Sequence, residues 1–78
     1  MMLTLTLMNR ENHFIKDIQV NSQQKVIDTL LILKEADILQ ELDEKQVKVK
    51  SVRRGMFVNI IDTYEEEHIN TGDILELM

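Results

Sequence analysis

The closing segment of the chain, residues 46–78, places the strongest constraint on what this sequence can fold into. Valines alternate with lysines over residues 46–50, an Arg-Arg-Gly turn follows, and an apolar run then covers residues 56–61. A polar connection leads to a Thr-Gly-Asp turn and a last apolar run that ends at Met78. Alternation with a period of two, interrupted by glycine turns, is typical of short β-strands. The segment therefore predicts a strand, a hairpin to a second strand, and a closing strand.

Two more strands are predicted at the start of the chain. Leucines occupy alternate positions of residues 3–7, with threonines between them, which favours a strand with one buried face. A polar turn at residues 9–12 separates it from a weaker strand over residues 13–21. Lys16 falls in phase with the apolar residues of that strand, so we expect either a bulge or an edge position there. Together the two strands form a hairpin.

A helix is predicted next, from about Gln23 to Ala36. Asn21 is expected to cap it, with Gln24 in the third helical position as a loose capping box. We place Thr29 on the solvent face. Apolar residues recur at three- and four-residue spacing, which predicts a face that packs on the sheet. These residues are Val26, Ile27, Leu30, Leu31 and Leu33.

The complete order is ββαβββ, which is the order of a β-grasp. One helix across one face of a mixed sheet gives an α+β roll. A chain of 78 residues forms a single domain, residues 1–78, that buries roughly 60–65% of its unfolded surface. We expect Ile38, Leu39 and Leu42, in the connection after the helix, to close the core from below.

Composition excludes several classes of function. The chain has no cysteine, which removes disulfides, thiolate metal sites and a cysteine nucleophile. No apolar run approaches the roughly 20 residues that a membrane helix needs, and the N-terminus does not resemble a secretory signal. We therefore expect a cytoplasmic protein without direct membrane insertion.

Charge is distributed unevenly along the chain. Residues 45–54 hold five basic and no acidic residues, whereas residues 62–78 hold six acidic and no basic residues. With a net charge of −5, one small basic strip makes a poor nucleic-acid binder, because attraction to phosphates needs a broad positive face. We expect no nucleic-acid partner.

Three segments carry a resemblance to a known family: Gln46 to Val49, the Arg54-Gly55 hairpin, and the ending Gly72 to Leu77. In these the chain resembles ubiquitin and, within that superfamily, the small bacterial YukD-like (EsaB-like) proteins. The resemblance implies an accessory or regulatory role at a Gram-positive type VII (ESX-type) secretion locus. It also implies a protein partner, such as a membrane component of the secretion machine, which would hold the domain at the inner face of the membrane.

The basic strip is the candidate protein-binding site, because sheet faces are common binding surfaces of ubiquitin-like domains. Met56 and Val58 would add an apolar centre if they face outward, since interfaces combine a dry core with a charged rim. A solubilising sheet edge protected by lysine remains the alternative interpretation. The candidate residues are Lys48, Lys50, Arg53, Arg54 and Met56.

No residue pattern indicates catalysis, a metal or a cofactor. His13 and His68 are interpreted as surface histidines, because a zinc site needs three or four ligands placed together. The acidic residues from Asp62 to Glu67 lack the spacing and glycine of a calcium loop, so a solvated acidic loop is expected. The serines and threonines have no recognisable base. We expect a protein that is not an enzyme.

Two other hypotheses stay open. The basic strip of one copy could meet the acidic segment 62–76 of the next, which would give a salt-sensitive head-to-tail assembly. A sulfur carrier or protein modifier is disfavoured, because the chain ends in Glu-Leu-Met within the strand pattern and not in a flexible Gly-Gly.

Overall fold

The computed structural model describes residues 1–11, 13–39 and 42–78, and its elements confirm the predicted ββαβββ order. Asn12 of the predicted turn lies outside the described residues, as do Gln40 and Glu41 of the predicted connection. The strands and the helix have the following bounds: β1 Met2–Asn9, β2 Phe14–Asn21, α1 Val26–Glu35, β3 Val49–Ser51, β4 Met56–Val58 and β5 Ile74–Leu77.

The five strands form one mixed sheet in the order β2-β1-β5-β3-β4. β1 and β5 run parallel, and the other neighbouring pairs run antiparallel. β1 and β2 pair residue by residue from Met2–Asn21 to Asn9–Phe14, so the bulge considered near Lys16 is not present. Lys16 instead lies on the edge strand, opposite Leu7, where a charge on the helix side discourages another strand from pairing.

The core lies between α1 and the sheet, and it contains the leucines of β1 as predicted. Tyr64 is fully buried and is among the largest side chains in the core. The three predicted plugs after the helix are partly buried and pack against this core. The buried apolar residues are Leu3, Leu5, Leu7, Val20, Val26, Leu30, Leu33, Val49, Tyr64, Ile69, Leu75 and Leu77.

The start of α1 differs from the prediction. The Asn21 side chain does accept a backbone N–H, that of Gln23 at 2.9 Å, but this closes a turn before the helix, so the predicted capping box is wrong. The first N–H groups of the helix are satisfied by a distant segment instead. The N–H of Val26 donates to the carbonyl of Asp62 at 3.0 Å, and the next N–H donates to the carbonyl of Ile60 at 2.8 Å. A backbone contact of this kind has no local sequence signal.

The end of α1 is a Schellman motif. Asp37 has a positive φ of 60° and donates its N–H to the carbonyl of Lys34 at 3.1 Å. The N–H of Ile38 donates to the carbonyl of Leu33 at 2.9 Å. These two bonds satisfy carbonyl groups that the last helical turn leaves free, so the helix ends at Glu35 and the chain turns back over the core.

β3 and β4 are shorter than the predicted strands. Lys48 still exchanges two backbone hydrogen bonds with Met78, at 3.1 and 2.8 Å, but the β3 strand itself begins at Val49. β4 ends at Val58 because the chain then departs from the sheet to bring the carbonyl of Ile60 to the helix start. Gly55 forms the hairpin turn between them with a φ of 66°, a conformation that glycine adopts without steric cost.

Thr29 is buried, so its predicted place on the solvent face is wrong. It lies on the side of α1 that the segment containing Tyr64 covers. Among the described residues, neither the Thr29 hydroxyl nor the Tyr64 hydroxyl has a partner in hydrogen-bonding geometry. Burial raises the pKa of Tyr64 to about 12, and the nearby Thr29 hydroxyl opposes that rise only in part.

Stability should therefore fall as the pH rises from 10 to 12. Tyrosine in an unfolded chain has a pKa of about 10, so the unfolded state loses its proton first. The contribution of Tyr64 is complete below pH 10, and the free energy of unfolding then declines by about 1.4 kcal/mol per pH unit. Urea unfolding at several pH values, compared with Tyr64→Phe, measures the decline. An equal decline in both proteins would contradict it.

Candidate functional site

The outer face of the sheet, opposite α1, carries a row of side chains that crosses all five strands. Residues directly paired on neighbouring strands share a face, and Leu7 and Leu75 form a pair within the core. The next register positions must therefore point outward. We call the following five residues the outer row, in order from β2 to β4: Ile15, Met8, Glu76, Lys50 and Phe57.

The outer row has apolar ends and a charged centre. Ile15 is 73% exposed and Phe57 is 59% exposed, while Met8, Glu76 and Lys50 are half-buried. Lys48 is exposed two residues before Lys50 on the same side of the strand. Within the described part of the chain, neither lysine ammonium forms an ion pair. The face thus combines apolar surface with available positive charge.

Met56 does not belong to this face. It pairs with Ser51, a core residue, and so points to the helix side, where it is exposed. Val58 also points to the helix side, opposite Val49. The condition under which Met56 and Val58 would supply an apolar centre therefore fails. Phe57, which lies between them, faces outward instead.

The two arginines of the predicted strip lie at the hairpin turn. Arg54 donates from Nη1 to the backbone carbonyl of Glu67 at 2.6 Å. Its other terminal nitrogen lies 4.0 Å from the sulfur of Met56. Arg53 is exposed, and its backbone N–H donates to the carboxylate of Asp73 at 3.3 Å. The structure therefore divides the predicted basic strip into two groups. Lys48 and Lys50 lie on the outer face, and Arg53 and Arg54 lie at the hairpin turn.

The buried carboxylate of Asp73 stabilises the β3–β4 hairpin. Its carboxylate is 3% exposed and accepts the Ser51 hydroxyl at 2.6 Å. It also accepts the backbone N–H of Ile74 at 2.7 Å and that of Arg53 at 3.3 Å. One buried side chain thus joins the Thr-Gly-Asp turn to β3 and to the β3–β4 turn. These bonds fix the β3–β4 hairpin, on which Lys50 and Phe57 lie.

The predicted acidic loop forms a short turn with internal hydrogen bonds, and Glu65 and Glu66 are exposed on it. Thr63 and Glu66 form a reciprocal capping box, each side chain accepting the other residue's N–H at 3.0 Å. The bond from the Thr63 N–H lowers the pKa of Glu66. A Glu67 carboxylate oxygen accepts the N–H of Asn59 at 2.8 Å. Partial burial and the neighbouring Glu67 raise the pKa of Asp62.

Glu66 and Glu67 thus each direct one carboxylate oxygen to a backbone N–H of the same chain. Among the described residues, no three histidine or acidic side chains are grouped so that they could hold a metal ion. His68 has a positive φ of 56° and ends the short turn after Tyr64. No described helix has both the length and the apolar character required to cross a membrane.

Similar solved structures establish the fold. A de novo designed protein based on ubiquitin superposes with a TM-score of 0.75 at 22% identity, covering 99% of this chain and 87% of that one. The C-terminal ubiquitin-like domain of mouse tubulin-specific chaperone e gives 0.72 at 17% identity, with 97% and 84% covered. The ubiquitin-like domain of yeast Ddi1 gives 0.71 at 21% identity, with 97% and 86% covered. The chain has the ubiquitin-like β-grasp fold.

No family model matches the chain, and neither does any curated protein. The fold predicted from the sequence is confirmed, and the structural neighbours are ubiquitin-like domains. Two residues of the predicted site, Lys48 and Lys50, lie on one face. Ile15, Met8, Glu76 and Phe57 were not predicted as site residues. The outward phase of Ile15 relative to Phe14 was a signal that could have indicated the apolar end of this face.

Proposed function

We propose that this chain is a non-enzymatic ubiquitin-like interaction module whose outer row, with Lys48, binds a protein partner. The observation that carries the proposal is the outer face itself, where Ile15 and Phe57 are exposed beside two lysines that form no ion pair with any described residue. Large exposed apolar side chains beside charged groups are typical of protein-binding surfaces, and here the charged groups lie between the two apolar ends. A sheet face that contacts only water has no need of an exposed phenylalanine such as Phe57.

A more specific proposal concerns the cellular system in which the partner acts, and it rests on the sequence resemblance to YukD-like proteins. We propose a cytoplasmic accessory of a type VII secretion system that docks on a membrane component of that machine. These two lysines support a partner with acidic groups on its surface, and the net charge of −5 speaks against nucleic acid. Arg54 at the hairpin turn is assigned to the fold, because its guanidinium donates to the carbonyl of Glu67. The exposed Arg53 side chain is not assigned to the fold.

An affinity pull-down from native cells with solubilised membranes tests the proposal. Phe57→Ser should reduce recovery of the partner by about tenfold or more, because buried aromatic anchors dominate interface energies. The double change Lys48→Glu and Lys50→Glu should reduce recovery as well. The readout is the amount of each protein retained at physiological salt, measured by quantitative mass spectrometry.

Two matched controls lie on the other side of the molecule. Ile32→Ser removes an apolar side chain that is 56% exposed on α1, close to the exposure of Phe57. Lys16→Glu reverses an exposed charge on the helix side of β2. Both should retain the partner. Partner recovery that is equal for Phe57→Ser and Ile32→Ser would show that the outer face is not the site.

A further inference from the structure

Glu76 is the only acidic residue of the outer row, and it lies at the row's centre. It pairs with Met8 on one side and with Lys50 on the other. Its side chain is only 14% exposed, and one carboxylate oxygen lies 3.2 Å from Nε of Arg10. Arg10 follows β1 directly, so its side chain reaches back over the face from the end of that strand.

Two cations compete for this one carboxylate. Lys50 is directly opposite Glu76 on the neighbouring strand, where Cβ atoms are about 5 Å apart and opposite charges attract. The structure nevertheless pairs Glu76 with Arg10, and within the described residues Lys50 forms no ion pair. A guanidinium is suited to this role because its planar donors match a carboxylate better than an ammonium does.

We propose that Arg10 is a specificity-determining residue: by holding Glu76 it keeps Lys50 available for an acidic side chain of the protein partner. The proposal rests on the proposed function of the outer face. Without Arg10, Glu76 would pair with Lys50 and the centre of the row would become neutral. With Arg10 in place, the charge that the row presents is positive.

The row also defines how the partner's acidic and apolar groups are spaced. Neighbouring strands are about 4.8 Å apart, so Ile15 and Lys50 are roughly 14 Å apart, and Phe57 is one strand further. A partner helix rises about 1.5 Å per residue. A helix that crosses the strands would therefore carry an acid about three or four residues from one apolar anchor and about eleven from the other, the nearest spacing that keeps all three side chains on one helical face.

A peptide with this pattern serves as the probe. It is a helical peptide with leucines at the two anchor positions and one glutamate between them, compared with the same peptide carrying glutamine. The wild-type protein should bind the glutamate peptide about fivefold more tightly, which corresponds to about 1 kcal/mol for a partly exposed ion pair. Fluorescence anisotropy at two salt concentrations measures both dissociation constants.

A double-mutant cycle distinguishes the indirect role of Arg10, through Glu76, from a direct contact between Arg10 and the acid of the peptide. Arg10→Ala should abolish the preference for glutamate, because Glu76 then takes Lys50. Adding Glu76→Gln should restore it, because Lys50 is released again. If Arg10 itself bound the peptide's acid, the second change would not restore the preference, and the proposal would be overturned. Glu76→Gln alone should keep the preference.

Other results would also overturn the proposal. Wild-type protein that binds the two peptides equally, or neither of them, would contradict the inferred partner chemistry. Salt-sensitive self-association in analytical ultracentrifugation that Lys50→Glu abolishes would show that a second copy occupies the face. A pull-down that depends on Phe57 while the cycle fails would retain the proposed function and reject the role of Arg10. Circular dichroism confirms that each variant is folded.

Discussion

Replacing Asp73 by alanine should lower the free energy of unfolding by about 3 kcal/mol. The change removes the acceptor of three hydrogen bonds and leaves the buried Ser51 hydroxyl without its acceptor. Hydrogen bonds to charged groups contribute about 1.5–3 kcal/mol, and a buried donor that loses its partner costs about 1–3 kcal/mol. Urea unfolding followed by circular dichroism measures the loss.

The matched variants distinguish the hydrogen bonds from the negative charge. Asp73→Asn keeps one carbonyl oxygen for the backbone N–H groups, so we expect about half of the loss. Glu65→Ala removes an exposed acid from the same half of the chain and should change stability by less than about 0.5 kcal/mol. The assigned role of Asp73 would be wrong if Asp73→Ala were as mild as Glu65→Ala.

Replacing Tyr64 by alanine should cost about 4 kcal/mol, whereas phenylalanine should cost nothing and stabilise by up to about 1 kcal/mol. Tyr64 is fully buried, and removal of an aromatic side chain from a core leaves a large cavity. Its hydroxyl, however, is buried without a partner among the described residues. A polar group in that state opposes folding, so removing it alone is favourable.

Thr29→Val completes the test, because it removes the second unpartnered hydroxyl of the same pocket at nearly constant volume. Alone, or together with Tyr64→Phe, it should leave stability unchanged or higher. Thermal unfolding of the four proteins gives the comparison. A loss of more than about 1 kcal/mol in Tyr64→Phe that Thr29→Val reproduces would mean that the two hydroxyls support each other.

The sequence predicted what depends on local periodicity. The alternating leucines of β1 and the glycine turn at Gly55 appear where their pattern places them, and all of the predicted apolar stripe of α1 except Leu31 is buried in the core or packs against it. The prediction for the start of α1 was wrong because the carbonyl groups of Ile60 and Asp62 take the place of a side-chain cap. Contacts between segments so far apart in the chain leave no periodic trace.

The candidate site was only partly predictable for a related reason. Alternation along β3 shows that Lys48 and Lys50 share a face, but it does not show which residues of other strands lie beside them. That depends on register, which pairs Lys50 with Phe57 and with Glu76. Shifting the β3–β4 register by one residue would have placed Met56 beside Lys50, which is the condition under which Met56 would have joined the candidate site. The Arg10–Glu76 pair depends on register as well.

The central position of β5 has a consequence for the rate of folding. The two hairpins, β1–β2 and β3–β4, join residues that are near in sequence, whereas β5 joins them through pairs such as Thr6 and Ile74, which lie almost the full length of the chain apart. Loops of that length close slowly, and chains dominated by such contacts fold more slowly than helical ones. Substitutions in β5 should therefore slow the step in which the two hairpins meet, in addition to lowering the free energy of unfolding where they remove a buried leucine.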